Sequence, residues 1–295
     1  MRTLLFVPAD SERKLLKASA AGSDALALDL EDSVLPARKA DARKLLAEYL
    51  RDYKGKSAIW VRVNDLVSGE LLKDLAATIP LGPVGIVLPK IRGPEDIATV
   101  SAYLDMAEAI HGQPNGSVKI IAVATETPSA VLRMGELVTN KLSRLAGMIW
   151  GAEDLSAALG AGDPRQRDGS WRPVYEYARA QCLLACHALQ IEAIDTVCVD
   201  YKSTEACQRN AEAARYDGFT GKVAIHPDQV PIINAAFTPT AGEIEFAQRV
   251  VAAFGSGEGA VSLDGRMLDI PHLKAARRLL QVDADRIAIL DVCRG

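Results

Sequence analysis

The sequence contains no apolar run of the roughly 18 residues that a membrane-spanning helix needs. Its N-terminus, MRTLLFVPADSERK, has one short apolar run followed by charges, which is not the pattern of a secretory signal. The formal net charge of −4 also gives no basic surface of the kind that binds nucleic acid. These absences predict a cytoplasmic protein that binds neither a membrane nor nucleic acid.

Cysteine and histidine are too sparse to suggest a zinc site or a disulfide framework. The cysteines are odd in number and match no zinc spacing, so we expect reduced, buried thiols at Cys182, Cys186, Cys198, Cys207 and Cys293. His111 and His187 fall in helical patterns, and His272 opens a late one. Only His226, in AIHPDQV, follows a predicted strand, where a ligand would bind or a reaction would occur.

Short apolar runs alternate with amphipathic stretches along most of the chain. The runs cover residues 3–8, 24–30, 57–63, 84–89, 119–125, 145–151, 192–197 and 221–226. Eight strand-and-helix repeats before residue 239 are typical of a TIM (β/α)8 barrel of the α/β class. A doubly wound sheet is the rival architecture, but no GxGxxG turn follows an early strand.

The C-terminal part of the chain breaks this rhythm. Residues 240–295 hold two helical stretches around SLDGRML, whose Asp-Gly pair is typical of a hairpin turn. We therefore predict a catalytic barrel over 1–239 and a helical and hairpin extension over 240–295.

Polar residues close most of the apolar runs, and in a TIM barrel the carboxyl ends of the strands carry the active site. LALDLEDSV ends the second run with Asp29, Glu31 and Asp32, which repel one another unless a positive partner neutralises them. The other candidates for this rim are Arg62, Lys90, Glu126, Glu153, Asp154 and His226.

A hard divalent cation is the simplest neutraliser of such a rim. Mg²⁺ usually takes one or two protein carboxylates, with waters and substrate oxygens completing its shell. We predict Glu126 and Asp154 as its ligands, because each follows an apolar run and the two runs are neighbours. The three carboxylates after the second run then orient metal-bound waters and basic residues. The alternative for Asp32 and Glu153 is helix capping without any metal.

Two cations are predicted on the same rim. Arg62, in WVRVN, can bind a substrate carboxylate through two hydrogen bonds, pair with the acidic cluster, or do both. A metal and an arginine beside an acidic substrate can stabilise an enolate, which indicates chemistry at a carbon–carbon bond next to a carbonyl. Lys90 offers a minor alternative, a Schiff-base aldolase, which needs a lysine of depressed pKa in an apolar pocket.

In order along the chain, these segments resemble those of a known family. LLFVPADSERK, ALDLEDSV, WVRVN, VLPK, ETPSAV, WGAEDL, GKVAIHPDQ and DGRMLDIPH are similar to the signature segments of citrate lyase β-subunit-like proteins in the HpcH/HpaI aldolase superfamily. The resemblance implies a TIM barrel with a C-terminal extension and a Mg²⁺-dependent carbon–carbon lyase that acts on acyl thioesters.

The resemblance also implies a role for single residues. It implies that Glu126 and Asp154 bind the metal and that Arg62 binds the substrate carboxylate. Asp269, in RMLDIP, is implied to reach the site of a neighbouring subunit and to handle the acetyl-group proton, within a homotrimer or hexamer.

The coenzyme A arm, or an equivalent acyl-carrier arm, is implied to bind near Ser11, Arg13, Lys14 and the HPDQ loop that contains His226. We therefore assign catalysis to Arg62, Asp269, Glu31 and Asp32, and substrate binding to Arg62, Glu126, Arg13, Lys14 and His226.

The implied reaction is cleavage of citryl-, malyl- or citramalyl-CoA to acetyl-CoA and an oxo acid, or the reverse condensation. ETPSAV lacks the Ala-Arg-Gly continuation of many true citrate lyase β subunits, which favours a stand-alone CoA enzyme. The alternatives are the β subunit of an acyl-carrier-dependent citrate lyase, with its carrier protein and sister subunits, and a metal-dependent aldolase on a free hydroxy-keto acid.

Overall fold

Eight parallel strands close into a barrel within residues 1–256 and 259–292, the part of the chain that the computed structural model describes. They are β1 (Thr3–Pro8), β2 (Ala25–Asp29), β3 (Ala58–Arg62), β4 (Gly85–Leu88), β5 (Lys119–Val123), β6 (Leu145–Ile149), β7 (Glu192–Asp195) and β8 (Gly221–Ala224). Each lies inside a predicted apolar run. Because β1 pairs with both β2 and β8, the sheet has no free edge. The TIM barrel is confirmed, and the doubly wound sheet is excluded.

Helices follow the strands and surround the barrel. They are α1 (Glu12–Ser19), α2 (Lys39–Asp52), α3 (Leu71–Thr78), α4 (Pro94–Ile110), α5 (Pro128–Leu132), α6 (Met134–Thr139), α7 (Glu153–Leu159), α8 (Pro173–Leu189), α9 (Thr204–Asp217) and α10 (Val230–Ala236). Side chains cap the amino ends of α5 and α9, since the Thr127 hydroxyl accepts the N–H of Ala130 and the Ser203 hydroxyl accepts that of Ala206. Within the described ranges, no helix combines the length and hydropathy that crossing a membrane requires.

Alternation along the strands decides which side chains face the inside of the barrel. Ala25 and Ala27 of β2 belong to the interior cluster, together with Trp60 of β3. Ala27 pairs directly with Trp60, so a small residue lies beside the largest one. The same two-residue period brings Asp29 and Arg62, which also pair in register, to the carboxyl end of the barrel.

A second apolar layer fills the space between the barrel and its helices. It contains the cysteines of the described residues, Cys182, Cys186, Cys198 and Cys207, which are buried free thiols as expected. Cys293, for which the same expectation was made, lies outside the described residues.

A buried ion pair ties α4 to the amino ends of β5 and β6. Glu108, in α4, accepts hydrogen bonds from Arg144 Nη1 at 2.8 Å and from the Val118 N–H at 2.7 Å. Burial alone would raise the pKa of Glu108, but these donors and the Gly116 N–H lower it to about 2. The Glu108 carboxylate is therefore charged at all but very acid pH.

Glu108→Gln should reduce the free energy of unfolding at pH 7 by about 3–5 kcal/mol, because it leaves the buried Arg144 guanidinium with only part of its negative partner. A carboxyl group whose pKa is lowered by folding stabilises the folded state at pH values above its ordinary pKa, near 4.5. This stabilisation is lost as the pH falls toward about 2, the pKa in the folded state. In urea unfolding curves, the difference in unfolding free energy between Glu108→Gln and wild type should therefore become smaller as the pH falls from 4.5 to 2. Glu48→Gln, on the exposed face of α2, is the matched control. A difference in unfolding free energy that stays constant with pH would contradict the prediction.

The second compact unit comprises residues 238–295. It contains α11 (Ala241–Ala253), the antiparallel strands β9 (Ala260–Leu263) and β10 (Arg266–Asp269), and α12 (Ile270–Val292). Asp264 and Gly265 both have positive φ, of 51° and 75°, as a two-residue type I′ turn requires. The predicted hairpin is confirmed, and its Leu268 packs in a small core between the two helices.

Candidate active site

A cavity of about 360 Å³ opens at the carboxyl ends of the barrel strands. Apolar side chains from β1, β5, β6 and β8 line its base, and the predicted polar residues Asp29, Asp32, Arg62, Glu126, Glu153 and Asp154 lie among its walls. The topology therefore brings together most of the residues selected from the strand ends.

Asp29 and Arg62 form a two-pronged ion pair at this rim. Arg62 donates from Nε to Asp29 Oδ1 at 2.7 Å and from Nη2 to Asp29 Oδ2 at 2.6 Å. Burial alone would raise the pKa of Asp29, but the hydrogen bonds and charge of Arg62 lower it. Burial would likewise lower the pKa of Arg62, which Asp29 instead raises. Both groups are therefore ionised, and Arg62 is the positive partner of Asp29.

The pair leaves one edge of the guanidinium for other partners. Of the five N–H donors of an arginine, the two bonds to Asp29 use one on Nε and one on Nη2. Nη1 lies 3.1 Å from Glu31 Oε2, and the Phe6 ring lies 5.0 Å below the guanidinium carbon. Of the two roles considered for Arg62, pairing with the acidic cluster is confirmed, and binding of a substrate carboxylate stays a prediction.

Lys90 is the positive partner of the other two carboxylates in LALDLEDSV. Its Nζ lies 2.5 Å from Glu31 Oε1 and 2.7 Å from Asp32 Oδ2, and 3.6 Å from Asp154 Oδ1. Burial alone would lower the pKa of Lys90, but these carboxylates raise it above its ordinary value. A Schiff-base lysine needs the opposite shift, so the Schiff-base aldolase alternative is wrong.

Glu126 is a buried carboxyl at the end of β5. Its Oε2 accepts the backbone N–H of Lys90 at 2.5 Å. Burial and the negative charge of Asp154 raise the pKa of Glu126 to about 8. Gly151 gives it room, since a Cβ there would lie 3.2 Å from Glu126 Cγ. A cation between Glu126 and Asp154 would relieve the repulsion that raises this pKa.

The side chains around Glu126 suit Mg²⁺ rather than zinc. Within the described residues, no group of three or more His, Cys, Asp or Glu side chains is arranged to hold a metal ion. Two carboxylates with free space for waters and substrate oxygens match what Mg²⁺ accepts. Glu31 Oε2 is buried and accepts no hydrogen bond from the described residues, although Arg62 Nη1 lies 3.1 Å away, so a metal-bound water could donate to it.

Helix capping, the alternative for two acidic residues, fits only one of them. Glu153 and Asp154 form the first turn of α7, where carboxylates interact favourably with the helix dipole. Asp32 lies at no helix start, because the next helical turn begins at Pro36. For Asp32 the capping alternative is wrong.

The implied coenzyme A residues lie outside the buried cluster. Arg13 and Lys14 are exposed in the first turn of α1, directly after β1. His226 caps the turn Pro227–Gln229 through its Nδ1, and its ring stacks on Tyr201 with centroids 5.1 Å apart. These contacts hold the HPDQ loop in place, and substrate binding by His226 stays a prediction.

Asp269 belongs to the second unit. It directly precedes α12, and its Oδ1 lies 2.5 Å from Nδ1 of His272 in the first turn of that helix. Both side chains are more than half exposed. Asp269 is therefore accessible, and its role at a neighbouring subunit's site stays a prediction.

One buried network near the cavity has no counterpart among the predicted residues. Lys222, in β8, contacts Asp195 Oδ2 at 2.5 Å, and Asp195 Oδ1 accepts the Trp150 indole N–H at 2.6 Å. The sequence feature that could have indicated this pair is a lysine inside the apolar run GKVAIH together with an aspartate inside EAIDTV. The pair lies in the layer between barrel and helices and fixes Trp150 at the wall of the cavity.

Comparisons with known proteins agree with this geometry. Residues 2–227 match the model of the HpcH/HpaI aldolase/citrate lyase family. A mitochondrial citramalyl-CoA lyase of Mus musculus is 30% identical over 95% of this chain and 85% of its own, and a (3S)-malyl-CoA thioesterase of Cereibacter sphaeroides is 33% identical over 95% and 93%.

A solved structure, that of the protein CitE from Mycobacterium tuberculosis in complex with magnesium, acetoacetate and coenzyme A, superposes with a TM-score of 0.79. It is 32% identical, and the match covers 96% of this chain and 98% of that one. The barrel, the order of the segments and the extent of both matches lead to one conclusion: the chain belongs to the HpcH/HpaI aldolase/citrate lyase family.

Proposed function

We propose that the chain is a Mg²⁺-dependent carbon–carbon lyase that cleaves a 3-hydroxyacyl-CoA thioester, such as citryl-, malyl- or citramalyl-CoA, to acetyl-CoA and an oxo acid, or joins them. The observation that carries the proposal is Glu126, a buried carboxyl of raised pKa beside Asp154, on a rim where Arg62 is fixed by Asp29. Solved CitE complexes with magnesium and acetoacetate or pyruvate support the same metal and class of ligand.

Glu126 and Asp154 would hold the metal. When bound there, Mg²⁺ supplies a Lewis acid for the oxo-acid half of the substrate. Arg62 binds the carboxylate of that half through guanidinium N–H groups that are not bonded to Asp29, and Asp29 keeps the guanidinium in place. Glu31 and Asp32 hold the Lys90 ammonium and accept hydrogen bonds from waters at the rim.

The thioester half needs a proton donor once the carbon–carbon bond breaks. The 3-hydroxyl group loses its proton as its C–O bond becomes the carbonyl of the oxo acid, and the electrons of the carbon–carbon bond remain on the acetyl carbon as an enolate. One proton added to that carbon then gives acetyl-CoA. We assign this proton to Asp269 of a neighbouring subunit, within a trimer or hexamer. We assign the phosphates of coenzyme A to Arg13 and Lys14, which are both exposed in the first turn of α1. A cytoplasmic location stays a prediction.

A second candidate function is thioester hydrolysis, favoured by the similarity to a malyl-CoA thioesterase. An acyl-carrier-dependent citrate lyase would instead be active only with its carrier protein and sister subunits. A metal-dependent aldolase on a free hydroxy-keto acid would be active without coenzyme A. The substrate and partner requirements of the purified protein therefore separate these functions from the proposed one.

To test the proposal, the purified protein is incubated with Mg²⁺ and each of malyl-, citramalyl- and citryl-CoA. The rate at which oxo acid forms is measured for each thioester. We expect turnover of one thioester, its loss with EDTA and its return with excess Mg²⁺. The matching free hydroxy acids should not react. EDTA-resistant turnover, or equal turnover of thioester and free acid, would contradict the proposal.

A further inference from the structure

Lys90 has a backbone conformation that is uncommon for a residue with a side chain. Its φ is +53°, in the left-handed region that glycine adopts most readily. The residue follows β4 directly, and the turn points its N–H at Glu126 Oε2, 2.5 Å away. Sparsely populated backbone conformations of this kind cluster at functional sites.

The side chain of the same residue reaches other carboxylates of the rim. The ammonium contacts Glu31 and Asp32 and lies 3.6 Å from Asp154. Lys90 thus contacts Glu126 through its backbone and lies near Asp154 through its side chain, and these are the two proposed metal ligands. Its ammonium occupies the region of negative charge in which a divalent cation would be attracted.

We propose that Lys90 is a positioning residue whose ammonium competes with Mg²⁺ for the rim carboxylates and so weakens metal binding in the substrate-free protein. Two electrostatic effects lead to this result. The ammonium attracts Asp154 to itself, and it neutralises Glu31 and Asp32, which would otherwise add to the negative potential at the metal position. The backbone N–H of Lys90 meanwhile keeps Glu126 in place whatever the side chain does.

The inference rests on the metal site of the proposed function but not on the reaction. Its readout is Mg²⁺ binding to the substrate-free protein, measured by titration calorimetry. Lys90→Met removes the charge and keeps the length, and Lys90→Gly removes the side chain and suits the positive φ. Arg92→Met removes one positive charge two residues away, where Arg92 pairs with Asp96 and touches none of the rim carboxylates.

We expect Lys90→Met and Lys90→Gly to bind Mg²⁺ about tenfold or more tightly than wild type, because a nearby positive charge is removed, and Arg92→Met to bind it as wild type does. A merely structural role would give the opposite sign, since disordered ligands bind a metal less tightly. Unchanged or weaker binding in either Lys90 variant, with thermal unfolding that shows an intact fold, would overturn the proposal.

Failure of the proposed function has a different signature. A wild-type protein that binds Mg²⁺ through Glu126 but cleaves no thioester would contradict the reaction and leave the Lys90 comparison intact. Absence of Mg²⁺ binding in wild type and both Lys90 variants at millimolar Mg²⁺ would overturn the Lys90 proposal itself.

Discussion

Glu126→Gln should weaken Mg²⁺ binding strongly and lower kcat/KM for thioester cleavage by about 100- to 1,000-fold, because an uncharged amide oxygen is a much weaker ligand of a divalent cation than a carboxylate. The fold should not suffer. The amide oxygen can still accept the Lys90 N–H that now reaches Oε2 at 2.5 Å. Since burial and Asp154 raise the pKa of Glu126 to about 8, its ionised form is unfavourable, and removing the charge should leave the thermal midpoint unchanged or higher.

The opposite signs of the two effects make this variant informative. Calorimetric Mg²⁺ titration, steady-state kinetics and thermal unfolding should be run together on Glu126→Gln and on Glu48→Gln, an exposed residue of α2 that should resemble wild type in all three. A Glu126→Gln protein that retains Mg²⁺ affinity and activity would show that the metal ligands lie elsewhere. A large loss of thermal stability would show that Glu126 serves the fold instead.

Arg62→Met should lower both stability and activity. Its removal leaves Asp29, which is buried, without the partner that holds its charge, and breaking a buried pair in this way costs about 3–5 kcal/mol of unfolding free energy. The double variant Asp29→Asn with Arg62→Met should recover much of that loss, because no buried charge remains unpaired. Denaturant unfolding of the two single variants and the double variant measures both effects.

Arg62→Lys separates binding from folding. A lysine keeps the charge near Asp29 but lacks the edge that binds a second carboxylate, so we expect a folded protein with kcat/KM reduced about 100-fold. In the condensation direction the KM for the oxo acid should rise more than that for acetyl-CoA. Equal effects on the two KM values would contradict the role of Arg62 in binding the oxo-acid carboxylate.

The position of the rim could be predicted from the sequence, but its internal pairing could not. Strand alternation is local, so Asp29 and Arg62 could be expected at the carboxyl ends of neighbouring strands. The pairing depends on tertiary geometry, because Asp29 pairs with Arg62 and Asp32 with Lys90, while Glu31 contacts both cations.

Lys90 shows why such pairing escapes sequence reasoning. Its positive φ runs against the preference of residues with a Cβ, so no local pattern predicts it, and the sequence indicated for Lys90 only a minor alternative role as a Schiff-base lysine. Asp195 and Lys222 were missed for a related reason, since their pairing joins separate strands. Asp269 came from family resemblance alone, because an aspartate before a helix otherwise reads as a cap.

The nature of the bond that breaks is the most direct test of the proposed chemistry. The thioester that the protein turns over should be incubated with the protein and Mg²⁺, and the products should be separated and identified by mass spectrometry. Metal-assisted carbon–carbon cleavage predicts acetyl-CoA and an oxo acid in equal amounts, with no free coenzyme A. Free coenzyme A with the intact hydroxy acid would mean that the thioester bond is hydrolysed and would contradict the lyase.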